Sequence, residues 1–143
     1  MKTYQPKAKE IGKRNWHFVD AKGAVLGRMT SGIVKFLMGK HKINYAPHMD
    51  MGDYVVVVNA KDVKITGRKR KQKVYPRHSG YVGGFKEVKF EQLITEQPKK
   101  VIQHAVNGML PKNRLHKKRM TRLKVFAGAK HEFEDKFKAK KIK

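Results

Sequence analysis

Cysteine is absent from the 143 residues, which excludes disulfides, thiolate zinc sites, iron-sulfur clusters and cysteine nucleophiles together. Acid is scarce: 11 Asp and Glu stand against 35 Lys and Arg, a formal net charge of +24. Few enzyme surfaces carry such an excess. Long apolar runs are also missing, since the longest, Tyr54 to Val58, is far short of the roughly 20 residues that cross a bilayer. The leader MKTYQPKAKEIGKRNW spreads its lysines and has no apolar core of the kind a secretory signal needs, so we expect no membrane partner and a cytoplasmic location. Neither GxxxxGK(S/T), GxGxxG nor HExxH occurs, leaving phosphate-loop, dinucleotide and metalloprotease chemistry without its starting residues. We therefore expect no cofactor, no resident metal, no catalytic residues and no small-molecule substrate.

What remains is enough to fold. The length supports one domain over residues 1–143, with a polar leader 1–14 and a basic tail 130–143, and the 39% of hydrophobic residues can supply its core. Trp16 to Asp20 reads as a short strand closed by the turn-prone Ala21-Lys22-Gly23. Leu26, Met29, Ile33, Phe36 and Leu37 then follow the three-and-four spacing of one helical face, with Gly39 placed to end it. Asp53 to Asn59 is a β-branched run without polar alternation, the pattern of a strand covered on both faces. Strand, helix, buried strand is the βαβ order, which implies a parallel sheet with a right-handed crossover. From Ile65 to Phe90 turn signals abound, and an extended loop or twisted hairpin is expected. A second helix starts at Pro98 and stops at Pro111, and Leu123 to Gly128 supplies a last strand. The charged, aperiodic chain from Lys130 is expected to be mobile when free.

The charge runs through the whole chain rather than sitting on one arm. Up to Lys71 there are 16 basic and 5 acidic residues, and after it 19 and 6. Two clusters stand out: KDVKITGRKRKQK at 61 to 73 holds seven Lys or Arg and one acid, and KNRLHKKRMTRLK at 112 to 124 holds seven and no acid. Self-repulsion there opposes folding unless a polyanion neutralises it. Nucleic acid is the polyanion whose phosphates are spaced closely enough to engage many cations at once. A membrane surface would want a basic amphipathic helix with Trp, Phe or Leu opposite, and the single Trp16 lies in an expected strand. Candidate RNA contacts are Lys40 and Lys42, Arg68 to Lys71 with Lys73, and Lys112, Arg114, Lys117, Lys118 and Arg119. Tyr45, Tyr75 and Tyr81 sit in turn-rich basic stretches where stacking on unpaired bases competes with local packing.

Only His48 to Asp53 crowds imidazole with carboxylates, and a metal-dependent nuclease using His48, Asp50 and Asp53 is the rival reading. Hard-metal sites collect more oxygen ligands than this, and capping the turn before its strand is the plainer role for Asp53. The seven histidines show no ligand spacing, and His104 reads as a partly buried helix residue. His78-Ser79 is no nucleophile and base pair, because adjacent residues rarely point at each other.

The segments WHFVDA (Trp16 to Ala21), LGR (Leu26 to Arg28), GK (Gly39-Lys40), YAPH (Tyr45 to His48), GDYVVVVNA (Gly52 to Ala60), TG, HSG, AVNGMLPKNR (Ala105 to Arg114) and LKVFAG (Leu123 to Gly128) together resemble the ribosomal protein L13 family of the large subunit, in its bacterial form. The resemblance implies a three-layer α/β/α fold around a four-stranded parallel sheet, with basic loop extensions and a C-terminal tail, and no enzymatic activity. It also implies binding to large-subunit ribosomal RNA early in assembly, beside neighbouring ribosomal proteins of the 50S particle. A regulatory RNA-binding protein outside the particle is the remaining alternative. Carried over by position, Thr66, Gly67 and the following basic run, His78-Ser79-Gly80, and Gly108 to Arg114 with Lys112 and Asn113 lie at or support the RNA interface. Two departures stand out: His116 occupies a place where the family usually has glycine, and His131-Glu132-Phe133-Glu134 replaces an HPHxxQ-like ending. Eight neutralised phosphates would give a log K against log salt slope of about −6 to −7.

Overall fold

The valine run Tyr54–Val58 forms β2, the middle strand of a parallel sheet in a computed structural model that describes residues 5–7, 12 and 14–138. On one side β1 (Trp16–Asp20) pairs residue for residue, Trp16 with Tyr54 through Asp20 with Val58. On the other, β5 (Leu123–Val125) pairs Leu123 with Val55 and Val125 with Val57. Val55 to Val58 are all buried, as a strand with neighbours on both edges and cover on both faces requires.

One cover is helical. α1 (Leu26–Met38) and α4 (Pro98–Met109) bring Ile33, Val34, Leu37, Val101, Ile102 and Val106 into one core with Val55 and Val57. Pro98 begins α4, where a missing N–H costs nothing. Gly39 ends α1 in the left-handed conformation at φ 82°, its amide donating to the carbonyls of Lys35 and Phe36. The other face is aromatic. Trp16 stacks on Tyr54 at 4.4 Å and on Phe133 at 5.1 Å, while Phe18 meets the edge of Phe137 at 5.7 Å. Phe137 belongs to α6 (Glu134–Lys138), so this part of the tail is docked on the sheet, against the expected mobility. Residues 139–143, and residues 1–4, 8–11 and 13 of the leader, lie outside the described set.

The expected sheet of four parallel strands is corrected to three. The remaining strands, β3 (Val74–His78) and β4 (Phe85–Lys89), form a separate antiparallel hairpin, as the turn signals suggested. Pro76 within β3 lacks a ladder donor, and most hairpin side chains are exposed, so this segment has neither the hydrogen bonds nor the two-sided burial of a parallel strand. The other parallel pairing among the described residues is an isolated bridge between Val25 and Lys64. Besides α6, three short helices were not expected: α2 (Lys69–Gln72), α3 (Phe90–Glu96) and α5 (His116–Thr121). No helix among the described residues is long and apolar enough to cross a membrane.

Candidate nucleic-acid interface

The first basic cluster is carried on a projecting arm. Gly67 turns the chain at φ 66°, which glycine adopts without strain, and Arg68 to Gln72 close one helical turn before β3 leaves. Thr66, Gly67, Arg68, Lys69, Arg70, Lys71 and Lys73 are all exposed. Arg70 pairs with Glu91 at 3.4 Å on the surface, which holds little. Lys73 lies over the Tyr75 ring at 5.2 Å, and Tyr75 packs against His104 of α4 at 5.5 Å, rooting the hairpin. Burial raises the Tyr75 phenol above its ordinary value. His104 itself is exposed, not partly buried as expected. At the tip, the Gly80 amide donates to His78 Nδ1 at 2.9 Å and the Ser79 amide to the Gly84 carbonyl at 3.1 Å. His78, Ser79 and Gly80 thus shape an exposed turn that presents Tyr81, 80% exposed.

The second cluster is a loop feeding a helix. Asn113 Oδ1 accepts the Leu115 amide at 3.1 Å, closing a turn just ahead of α5. His116 reaches back to the Asn107 carbonyl at 3.4 Å, a long contact that ties α5 to the end of α4. Lys112, Arg114, Lys117 and Lys118 face solvent. Arg119 does not: it is 1% exposed, with Nε and Nη2 lacking a hydrogen-bond partner. Positions three apart share a helix face, so Arg119 and Arg122 turn inward together while Lys117 and Lys118 turn out. Arg119 is thereby corrected from the phosphate-contacting set. Between α4 and α5 runs a groove of about 480 Å³ lined by Lys100, Gln103, His104, Asn107, Met120 and Thr121. His104, which lines this groove, also holds the hairpin root through Tyr75, two residues beyond the first basic run. Lys40 is exposed as well, whereas Lys42 is half-buried and engaged elsewhere.

The rival nuclease group is not assembled. Asp50 accepts Arg122 through both terminal nitrogens, at 2.6 and 2.5 Å, and Arg14 at 3.3 Å. Asp53 is fully buried and accepts the Asn15 amide at 3.1 Å, Lys42 Nζ at 2.6 Å, and His17 and His41 Nε2 at 3.0 Å each. His48 is exposed and takes no part. Two histidines far apart in sequence, without ligand spacing, therefore meet at one carboxylate: parallel pairing of β1 with β2 sets His17 beside Asp53, and the loop after α1 brings His41.

Burial by itself would raise both carboxyls. For Asp50 the Arg122 hydrogen bonds and the charges of Arg122, Arg14 and Arg119 outweigh it, and for Asp53 the hydrogen bonds from Lys42, His17 and Asn15 do so, leaving both below the ordinary 3.8. A group depressed in the folded state stabilises above its unfolded value and loses that contribution as pH falls through the folded one. We expect the thermal midpoint to drop steeply below about pH 4 and the drop to shrink in Asp50→Asn, measured by circular dichroism melts across pH 2 to 7.

Residues 14–132 match the family described as Ribosomal protein L13. The chain is 50% identical over 131 residues to "Large ribosomal subunit protein uL13" of Roseiflexus sp. (strain RS-1), covering 92% of this chain and 89% of the relative. It is 50% identical over 134 residues to the protein of that name from Thermoanaerobacter sp. (strain X514), covering 94% and 93%. A third, from Clostridioides difficile (strain 630), is 50% identical over 131 residues, covering 92% and 91%. With its sheet, its basic arm and its AVNGMLPKNR segment all inside the matched span, this chain belongs to the ribosomal protein L13 family.

Proposed function

We infer that this protein is a structural constituent of the large ribosomal subunit, and not an enzyme, that clamps large-subunit ribosomal RNA during assembly. The observation that supports the clamp is the exposure of two basic segments, 66–73, which leads into the hairpin whose Tyr75 packs on His104 of α4, and 112–118, which leads into α5 across a groove from α4. Phosphates drawn to one segment lie near those drawn to the other, and the protein's cations screen their repulsion. Arg68, Lys69, Arg70, Lys71, Arg114, Lys117 and Lys118 are the phosphate-contacting side chains, with Lys40, Lys73 and Lys112 adding charge around them. Thr66, Gly67, His78, Ser79, Gly80 and Asn113 act by shaping the turns that carry them. Neighbouring ribosomal proteins complete the surroundings, and α1 with α4 on one sheet face and α6 on the other supply the three layers.

Seven contacts at roughly 0.7 to 0.9 each give a log K against log salt slope of about −5 to −6, measured by filter binding to a large-subunit RNA fragment. Replacing Arg68, Lys69, Arg70 and Lys71 by Gln should flatten the slope by about 3 to 4. A slope near zero for the unmodified protein would refute the clamp.

A further inference from the structure

We propose that His17, His41 and Asp53 form a site for one borderline divalent transition ion of the Zn²⁺, Co²⁺ or Ni²⁺ class, where β1, the loop after α1 and the start of β2 converge. One ring nitrogen from each histidine and a carboxylate oxygen of Asp53 lie within 4.8 Å of one another. Each Nε2 is 3.0 Å from the same atom, Asp53 Oδ2. Ligand atoms at about 2.0 to 2.1 Å from a tetrahedral zinc are roughly 3.3 Å apart, so an ion between these groups asks each nitrogen-oxygen separation to open by only a few tenths of an ångström.

The donor set selects the ion. Two imidazoles with one carboxylate suit zinc, cobalt and nickel, while magnesium and calcium collect oxygens. Both carboxylate oxygens have distinct duties: Oδ1 takes the Asn15 amide and Lys42, leaving Oδ2 to the imidazoles. An ion there would replace two N–H donors that now compete for one oxygen.

The site is held ready. Asp53 is fully buried, and its own amide donates to the Phe36 carbonyl at 3.1 Å. His17 stacks on Phe36 at 4.1 Å, and His41 sets its edge against Phe36 at 5.2 Å and His17 at 5.4 Å. The two histidine side chains keep about a quarter of their surface exposed, which leaves room for water as a fourth ligand. Opposing this, the Lys42 ammonium at 2.6 Å already offsets the carboxylate charge, so micromolar rather than tighter affinity is expected.

This site is independent of the RNA contacts, and its test uses the full-length chain without RNA. Titration with CoCl₂ should give one equivalent with visible d–d absorption of a low-symmetry site, displaced by Zn²⁺. Zn²⁺ should raise the thermal midpoint by about 5 °C, because the ion binds only the folded chain. In ¹⁵N spectra of the unmodified protein the Nε2 resonances of His17 and His41 should move together. His17→Phe, which keeps a ring on Phe36, and His41→Gln should each weaken binding at least about 100-fold, with His48→Ala unchanged. No cobalt signal at millimolar concentration, zinc shifts at other histidines only, or unaltered affinity in both ligand variants would each overturn the proposal.

Discussion

Asp50→Ala is expected to cost about 3 to 5 kcal/mol of folding free energy, seen as a fall in the urea midpoint at unchanged slope. Asp50 is bound by both terminal nitrogens of Arg122, whose side chain is 4% exposed. Removing the carboxylate leaves a buried guanidinium facing the Leu37 carbonyl at 3.4 Å, with Nε already unpartnered. Arg119, just as buried, loses a compensating charge too, since it is among those that lower the Asp50 carboxyl. The loss approaches the whole stability of a domain at the low end of the usual 5 to 15 kcal/mol range. Asp50→Asn keeps the volume and an acceptor and should lose less. The double variant Asp50→Ala with Arg122→Met should recover part of the loss, because a well-packed apolar pair often equals a buried ion pair. Equal urea midpoints for Asp50→Ala and the unmodified chain would contradict the account.

Gly52→Ala should be nearly as severe. A methyl at position 52 would overlap the Leu37 carbonyl and press on Arg122 Nη2 at 2.9 Å, with the Leu37 carbonyl carbon at 2.6 Å. Backbone cannot swing aside as a side-chain tip can, so α1 and the 49–53 loop must separate. Overpacking of this kind costs about 3 kcal/mol. The same displacement loosens the grip of Arg122 on Asp50, so the two variants should be non-additive in a double-mutant cycle. Gly27→Ala, at a helical position with open space around it, is the control, expected to change stability by less than about 1 kcal/mol in the favourable direction.

The parts of this fold with strong periodicity were legible in the residues. Trp16 to Asp20, Leu26 to Met38 and the helix between Pro98 and Pro111 fall where spacing and terminators put them, and Tyr54 to Val58 is the buried strand its valines announce. The fourth parallel strand came from family resemblance rather than from any residue run, and the strands beyond the three parallel ones are the hairpin that the turn signals between Ile65 and Phe90 allowed. α5 was hidden because its face toward the core is made of Arg119 and Arg122, which read as surface charge, and their neutralising partner Asp50 is about seventy residues away. The convergence of His17, His41 and Asp53 was invisible for the same reason: spacing along the chain carries no trace of strand pairing. The exposed basic residues were the easier part, since length and charge decide their placement. The tail misled because Phe133 and Phe137 lie among charges, and only the aromatic face of β1 and β2 shows why they dock.

The sheet joins strands whose order in space is β1, β2, β5, so its last edge is supplied by residues 123–125 of 143. During synthesis the valine strand must wait, one flank bare, while sixty-seven further residues, 59–125, are polymerised, among them both stretches richest in positive charge. The nascent chain therefore carries most of its positive charge while its sheet still lacks an edge.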